Sequence, residues 1–101
     1  MGRIERGRAE VMLAELPGWT LQDSAIQRVF LFPAFPDAVA FVVRLGFEAE
    51  AADHHPDMLI NYRKVTVTYT THSAGGLTEK DFDGADVANR IAALVAAGEG
   101  S

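Results

Sequence analysis

The segment from Lys64 to His72 alternates strictly between two kinds of side chain, and this pattern constrains the fold more than any other feature of the chain. Val65, Val67 and Tyr69 fall on one side of the predicted strand. The intervening threonines and His72 fall on the other side. One apolar and one polar face are typical of an antiparallel sheet that is covered on one side only. The rest of the chain must therefore supply helices for the apolar side.

Three helices and three further strands are predicted around this segment. The first helix runs from about Glu5 to Leu16, because Pro17 and Gly18 then stop it. The central helix must end near His54, because Pro56 pushes His55 out of helical geometry. The other predicted elements are strands at Trp19–Leu21, Ala25–Phe32 and Met58–Asn61, the central helix from about Pro36 to Asp53, and a last helix from Thr78. The positions of the last helix that are predicted to face the core are Val87, Ile91, Leu94 and Val95.

This order predicts an α+β fold, an αββαββα two-layer domain with a four-stranded antiparallel sheet and helices packed on one face. A length of 101 residues suits a single domain over residues 1–101, with an ordered core over about 5–97 and a frayed tail from Gly98. A four-stranded sheet leaves two edges open, and an open edge can pair with a second copy. A homo-oligomer is therefore expected.

Composition excludes several classes of protein. The chain has no cysteine, which excludes disulfides, thiolate catalysis and cysteine-ligated metals. Its net charge of −5 argues against a nucleic-acid partner, because that affinity comes mainly from Lys and Arg. No apolar run approaches the roughly 20 residues of a membrane helix, so no membrane partner is expected. The expected location is the cytoplasm.

The chain has three histidines, which are the candidates for proton chemistry near neutral pH. His54 and His55 end the central helix, and His72 ends the last predicted strand, so one cleft could hold all three. Glu50 lies four residues before His54, on the same helix face, where the two side chains can touch. Asp81 could orient another histidine in the same way. The carboxylates expected near this acid/base site are Glu50, Asp53, Asp57 and Asp81.

Each of these residues also has a simpler explanation. Two histidines at a helix C-terminus complement the helix dipole, and Asp81 stands three residues after Thr78 in the spacing of a capping box. Glu50 can equally be a solvated surface charge. A rival hypothesis is a metal site made of the three histidines. His54 and His55 are awkward joint ligands, however, because adjacent side chains on a helix point in different directions.

Together these motifs resemble the signature of the pterin-4a-carbinolamine dehydratase family. In that family a Glu precedes a His-His-Pro by four residues, a Tyr follows, a third His ends a strand, and an Asp comes after a Gly-Leu-Ser/Thr turn. The stretches Leu16–Trp19 and Ala34–Ala38 are similar to the family's entries into its first hairpin and its central helix. The matching residues of the signature are Glu50, His54, His55, Pro56, Tyr62, His72, Gly76, Leu77, Thr78 and Asp81.

The resemblance implies a function and a role for each matching residue. His54, His55, His72 and Asp81 would be catalytic, and the substrate-binding residues would be His55, Glu50, Met58 and Thr71. Many family members carry a Trp where this chain has Met58, and Trp offers a flat surface for stacking whereas Met offers soft apolar contact. Family members share the αββαββα fold and assemble as dimers or tetramers. In animals one member also binds a homeodomain transcription factor.

The implied reaction is dehydration of 4a-hydroxytetrahydrobiopterin in tetrahydropterin recycling, linked to a pterin-dependent aromatic amino acid hydroxylase. His54 and His72 are the predicted acid and base, in either order, and His55 would hold the pterin, which is substrate and not cofactor. No cofactor and no metal are expected. The alternative is a non-catalytic binding module of the same fold that acts as a dimerisation cofactor for a protein partner.

Overall fold

The computed structural model describes residues 2–98 and contains three α-helices and four strands. The part of the predicted tail beyond Gly98 lies outside the described residues. The elements, in chain order, are α1 (Arg6–Leu13), β1 (Thr20–Gln22), β2 (Ala25–Leu31), α2 (Phe35–Ala52), β3 (Asp57–Asn61), β4 (Lys64–Tyr69), a 3₁₀ turn (His72–Ala74) and α3 (Glu79–Gly98). The predicted α+β architecture is confirmed.

The sheet consists of two hairpins that meet along their inner strands. Its order is β1-β2-β4-β3, and all neighbouring strands are antiparallel. The central pairing of β2 with β4 runs from Ile26 opposite Tyr69 to Leu31 opposite Lys64. Helix α2 connects the two hairpins, so its C-terminal end lies at the start of β3. This connection brings the residues after α2 close to the hairpin of β3 and β4.

The alternation in β4 places its side chains as predicted. Val65, Val67 and Tyr69 are buried in the core, and the threonines between them are only partly covered. Gln27 of β2 donates a hydrogen bond to Thr68 on the open face, at 3.0 Å. The other residues of the core include Trp19, Ile26, Phe30, Phe41, Leu45, Phe82, Ile91 and Val95. The period-2 pattern therefore identifies the covered face of the sheet.

Several element ends are shifted by one residue from their predicted positions, and three predictions differ from the structure by more than that. Helix α1 ends at Leu13 and not at Leu16, because i to i+3 hydrogen bonds tighten the chain before the Pro17-Gly18 break. Leu94 was predicted to face the core, but 61% of it is exposed. Strand β4 ends at Tyr69 and does not continue to His72. None of the helices within residues 2–98 is both long and apolar enough to cross a membrane.

The end of β4 has a clear cause. Its neighbour β3 begins at Asp57, opposite Thr68, and the residue before Asp57 is Pro56, which has no N–H to donate. The chain then forms an isolated bridge between Thr71 and Gly76. The bridge encloses a 3₁₀ turn that includes His72 and closes at Gly75, with φ of 72°. His72 thus lies on a tight loop after the strand.

Candidate active site

Asp81 is the most buried ionisable group of the candidate site. It lies in the first turn of α3 and is 0% exposed. Its Oδ2 accepts hydrogen bonds from the Thr78 N–H at 2.9 Å and from the Thr71 hydroxyl at 2.8 Å. Its Oδ1 lies 2.6 Å from Nε2 of His54. The capping role and the histidine contact that the sequence suggested therefore coexist in one carboxylate, one on each oxygen.

His54 reaches Asp81 because the chain turns sharply after α2. Asp53 adopts the left-handed conformation with φ of 53°, and the His54 N–H donates to the Ala49 carbonyl at 3.1 Å. This cap directs the His54 side chain toward α3, where 13% of it remains exposed. Its ring is stacked on Tyr69, with 5.7 Å between ring centroids and 19° between planes. The His54 ring is therefore held at its edge and along one face.

His55 pairs with Glu50 at the surface. Its Nε2 lies 2.8 Å from Glu50 Oε1, and the side chains are 58% and 79% exposed. The prediction that Glu50 contacts His54 is therefore wrong. The spacing rule assumed that the helix continues to His54, whereas the left-handed Asp53 ends it and rotates the next two residues.

Thr71 and His72 lie side by side on the loop that follows β4 but differ in environment. Thr71 is 8% exposed, and its backbone exchanges two hydrogen bonds with Gly76. Its hydroxyl contacts Asp81 and also lies 2.9 Å from the Thr78 hydroxyl. His72 is exposed. Thr71 therefore links the loop that carries His72 to the Asp81 carboxylate. A direct contact between Thr71 and a substrate stays a prediction.

The remaining predicted residues lie around α2 and β3. Met58 is opposite Val67 in β3, partly buried against the core. Asp53 and Asp57 are exposed and belong to neither histidine–carboxylate pair. Within residues 2–98, histidines and carboxylates do not converge into a group of three or more that could hold a metal ion. The geometry thus gives the rival metal-site hypothesis no support, and the absence of a metal stays a prediction.

A groove of about 370 Å³ between α2 and α3 reaches one side of His54. Tyr69 lines the groove, and burial together with the charge of Asp81 raises the pKa of the Tyr69 hydroxyl to about 12. Lys80, Asp83 and Glu48 are the charged residues of its wall. His54 is the one residue of the predicted site that lines this groove. The groove therefore borders the candidate site without containing its other histidines.

Comparison with known proteins identifies the family. The model of the family described as "Pterin 4 alpha carbinolamine dehydratase" matches residues 3–91. This chain belongs to that family. A protein of Roseiflexus sp. (strain RS-1) is 54% identical over 81 residues, which cover 80% of this chain and 87% of the relative. One of Picosynechococcus sp. (strain ATCC 27264 / PCC 7002 / PR-6) is 52% identical, covering 80% and 88%. Both are named provisionally as pterin-4-alpha-carbinolamine dehydratases.

Two solved structures resemble this pterin dehydratase family member. A transcriptional coactivator/pterin dehydratase from Brucella melitensis superposes with a TM-score of 0.87 and 38% identity, and the match covers 90% of this chain and 99% of that one. A pterin dehydratase-like protein identified as a RuBisCO assembly factor in the α-carboxysome superposes with a TM-score of 0.61. That second match has 19% identity and covers 73% of this chain and 86% of the other, so it shows the fold alone.

Sequence reasoning missed three contributors to the site in this pterin dehydratase family member. The Thr78 hydroxyl joins the Asp81 network, although Thr78 was considered only as a helix cap. Tyr69 was assigned to the apolar face of β4, but its ring also supports His54. Gly84 was not considered, yet a Cβ there would lie 2.5 Å from the Tyr69 ring. A glycine inside a helix was the available signal, because glycine costs about 1 kcal/mol there relative to Ala.

Proposed function

We propose that this chain dehydrates a 4a-hydroxytetrahydropterin to a quinonoid dihydropterin and water. The observation that supports this proposal best is the buried pair of His54 and Asp81, at 2.6 Å. A carboxylate that is hydrogen-bonded to an imidazole fixes the ring's orientation and stabilises its protonated form. Such a histidine can move a proton repeatedly without being displaced.

The reaction needs one acid and one base. The acid gives a proton to the hydroxyl on C4a, the C4a–O bond breaks, and water leaves. The base removes the proton from N5, and the electron pair of that N–H bond becomes the second bond between N5 and C4a. One proton is given and one is taken, so the protons balance. The reaction needs no external oxidant or reductant. A positioned acid or base contributes roughly 10²–10⁴-fold to the rate.

We assign the roles by environment. His54 and His72 exchange the two protons, and the segment of His72 is tied to the His54 partner through Thr71. His55 and Glu50 hold the pterin. Both side chains are exposed, so their pair can open when a ligand arrives. Met58 provides apolar contact for the pterin ring, since part of its side chain is accessible beside β4.

The wider role proposed for the chain is the recycling of tetrahydrobiopterin in the cytoplasm. The substrate is the 4a-hydroxylated product of a pterin-dependent aromatic amino acid hydroxylase, so such an enzyme is the functional partner. A homodimer or homotetramer is proposed, because β1 and β3 are edge strands and Leu59 of β3 is exposed. Light scattering at micromolar concentration measures this directly, and a monomer would contradict it.

The decisive experiment is a dehydration assay on freshly generated 4a-hydroxytetrahydropterin, followed by absorbance against the uncatalysed rate. Wild-type protein should accelerate water loss, and His54→Gln and His72→Gln should each lower kcat by roughly 10²-fold or more. The double variant should lose less than the product of the single losses, because the two residues act as one unit. Circular dichroism of each variant controls for folding.

Two further arms separate the alternatives. A chelator should leave the wild-type rate unchanged, and elemental analysis should find no stoichiometric zinc or iron. Loss of activity on chelation would support a metal site instead. Folded wild-type protein that leaves the rate at its uncatalysed value would contradict the proposal and favour the non-catalytic binding module.

A further inference from the structure

We propose that Thr71 and Thr78 are positioning residues, whose hydroxyls hold Asp81 so that His54 keeps Nε2 inward and presents Nδ1 as its working nitrogen. This inference rests on the proposed function for the identity of the substrate. The orientation of the His54 ring can nevertheless be measured without any substrate. It concerns two hydroxyls, a carboxylate and one imidazole, all in the described part of the chain.

The first step is the occupancy of the Asp81 carboxylate. Thr78 N–H and the Thr71 hydroxyl both donate to Oδ2, at 2.9 and 2.8 Å, and Oδ1 faces His54 at 2.6 Å. Each oxygen therefore has an assigned neighbour, and a 0% exposed side chain has no water to exchange them with. Rotation of the carboxylate would break all three contacts at once, so its orientation is fixed.

The second step is the direction of the hydrogen bonds. The Thr71 hydroxyl has one proton, which it donates to Asp81, so the Thr78 hydroxyl must donate to Thr71 across their 2.9 Å contact. Imidazole is the stronger base of the two groups, so the shared proton belongs to the ring. His54 Nε2–H is thus the donor to Asp81 Oδ1.

The third step is what remains for His54 Nδ1. Among the described residues no buried side-chain nitrogen or oxygen lacks a hydrogen-bond partner, and the bond given to the His54 ring is the one at Nε2. Nδ1 is therefore not fully buried, in a side chain that is 13% exposed. It carries a lone pair in the neutral ring and a proton in the charged ring, so it can serve as base or acid. Tyr69 stacks on the same ring and limits its tilt.

Helix capping alone does not explain these hydroxyls. In a capping box the Thr78 hydroxyl would accept from the Asp81 N–H. Here the Asp81 N–H donates to the Thr78 carbonyl at 3.1 Å, and the Thr78 hydroxyl turns to Thr71. The Thr78 hydroxyl therefore does not cap the helix. It belongs instead to the series of hydrogen bonds that runs through Thr71 and Asp81 to His54. This geometry favours positioning of the histidine over helix stability.

The test compares Thr71→Val and Thr78→Val with Thr71→Ser and Thr78→Ser. Valine keeps the shape of threonine without its hydroxyl, and serine keeps the hydroxyl. The first readout is the ¹⁵N NMR signature of the His54 ring, assigned by comparison with His54→Gln. Wild-type His54 should show a protonated Nε2 and an unprotonated Nδ1 when neutral. Both valine variants should show a mixture of the two tautomers, and both serine variants should restore the wild-type signature.

The second readout is the split between kcat and KM. Each valine variant should lower kcat about tenfold with little change in KM, as expected when one orienting hydrogen bond is lost. The limb of the kcat–pH profile that depends on His54 should move as well. The charged or titratable groups that face His54 are Asp81 from α3, Tyr69 from β4, and Glu48, Lys80 and Asp83 from the bordering groove. Serine variants should regain most of kcat.

Thr66→Val is the matched control, because Thr66 lies on the open face of β4, outside the Asp81 network. It should change neither the ring signature nor kcat. A wild-type ring protonated at Nδ1, or valine variants with wild-type signature and kcat, would overturn the inference. If wild-type protein shows the expected ring signature and its loss in the valine variants but no dehydration, the proposed function falls and the positioning of the ring stands.

Discussion

Two histidines that are neighbours in the chain form two carboxylate pairs in opposite environments. His54 and Asp81 are 13% and 0% exposed, whereas His55 and Glu50 are 58% and 79% exposed. The separations of 2.6 and 2.8 Å are nearly the same. The two pairs differ in their exposure to water, which screens the surface pair much more than the inner pair. Distance alone therefore says little about which pair is rigid.

This difference suggests a division of labour. The inner pair keeps one geometry, because Asp81 is held by Thr71 and Thr78 and the His54 ring by Tyr69. The outer pair joins two exposed side chains, so water can replace their contact and the pair can open at little cost. Under the proposed function, the inner histidine moves protons and the outer histidine admits the substrate.

Replacing Asp81 by Asn should have the largest effect. An amide cannot accept hydrogen bonds with both of its terminal atoms, so at least one donor among His54, Thr71 and Thr78 loses its partner inside the protein. We expect a loss of about 3 kcal/mol in the free energy of unfolding, measured by urea denaturation. The proposed dehydratase activity should fall as well, because the His54 ring loses its orientation.

The matched control is Asp86→Asn on the same helix. Asp86 pairs with Arg90 at 2.6 Å, as short as the inner pair, but its side chain is 48% exposed. The unfolding free energy should change by less than about 0.5 kcal/mol. Equal effects of the two substitutions would mean that burial does not separate these pairs.

How far the sequence predicts this site depends on the local chain. Asp81 was predicted to orient a histidine because it follows the Gly75-Gly76 turn and matches the family motif, whereas its spacing from Thr78 predicted a helix cap. The wrong partner was assigned to His54, since the i, i+4 rule holds only inside a helix. The left-handed conformation of Asp53 determines which histidine faces Asp81. Asp predicts such a conformation less strongly than Gly does.

The fold was more predictable than its edges. Alternation in β4 identified the buried face, because burial on one side of a sheet imposes period two. The extension of β4 to His72 failed because a strand ends where its neighbours end, and the position of Pro56 relative to Thr68 depends on sheet register. Leu94 fits the apolar spacing of α3 but is 61% exposed, whereas Ile91 and Val95 on either side of it are buried, so it lies at the margin of the covered helix face.

The free energy of unfolding should fall at high pH, because Tyr69, whose ring supports His54, then loses its proton. The pKa of Tyr69 is raised to about 12, above its ordinary value of 10.0, so the folded state binds this proton more tightly than the unfolded state. Its contribution is present below pH 10 and is lost as the pH rises toward 12. Unfolding free energy should fall by about 1 kcal/mol per pH unit in that window. Tyr69→Phe should lack this part of the loss, and an identical pH dependence in both proteins would contradict the assignment.

Gly84→Ala should destabilise the protein although alanine favours helices. A Cβ at this position would lie 2.5 Å from Cζ of Tyr69, so the ring that supports His54 must move. Overpacking of this kind costs roughly 1–3 kcal/mol and exceeds the gain of about 1 kcal/mol in helix propensity. We expect a net loss of about 1 kcal/mol. Gly46→Ala in α2 is the control, because no atom lies within 4 Å of its Cβ, and it should stabilise the protein.

Glu50→Gln should have the smallest effect on stability and sharpens the comparison most directly. It makes the same acid-to-amide change as Asp81→Asn, but at a carboxylate that is 79% exposed. Water replaces the lost contact with His55, so the unfolding free energy should change by less than about 0.5 kcal/mol, and even that should shrink in 1 M salt. If Glu50 and His55 hold the pterin, KM should rise a few-fold while kcat stays constant, because such contacts are equal in the ground and transition states. A fall in kcat comparable with that of Asp81→Asn would show that the outer pair takes part in proton transfer and that the two pairs do not divide the work.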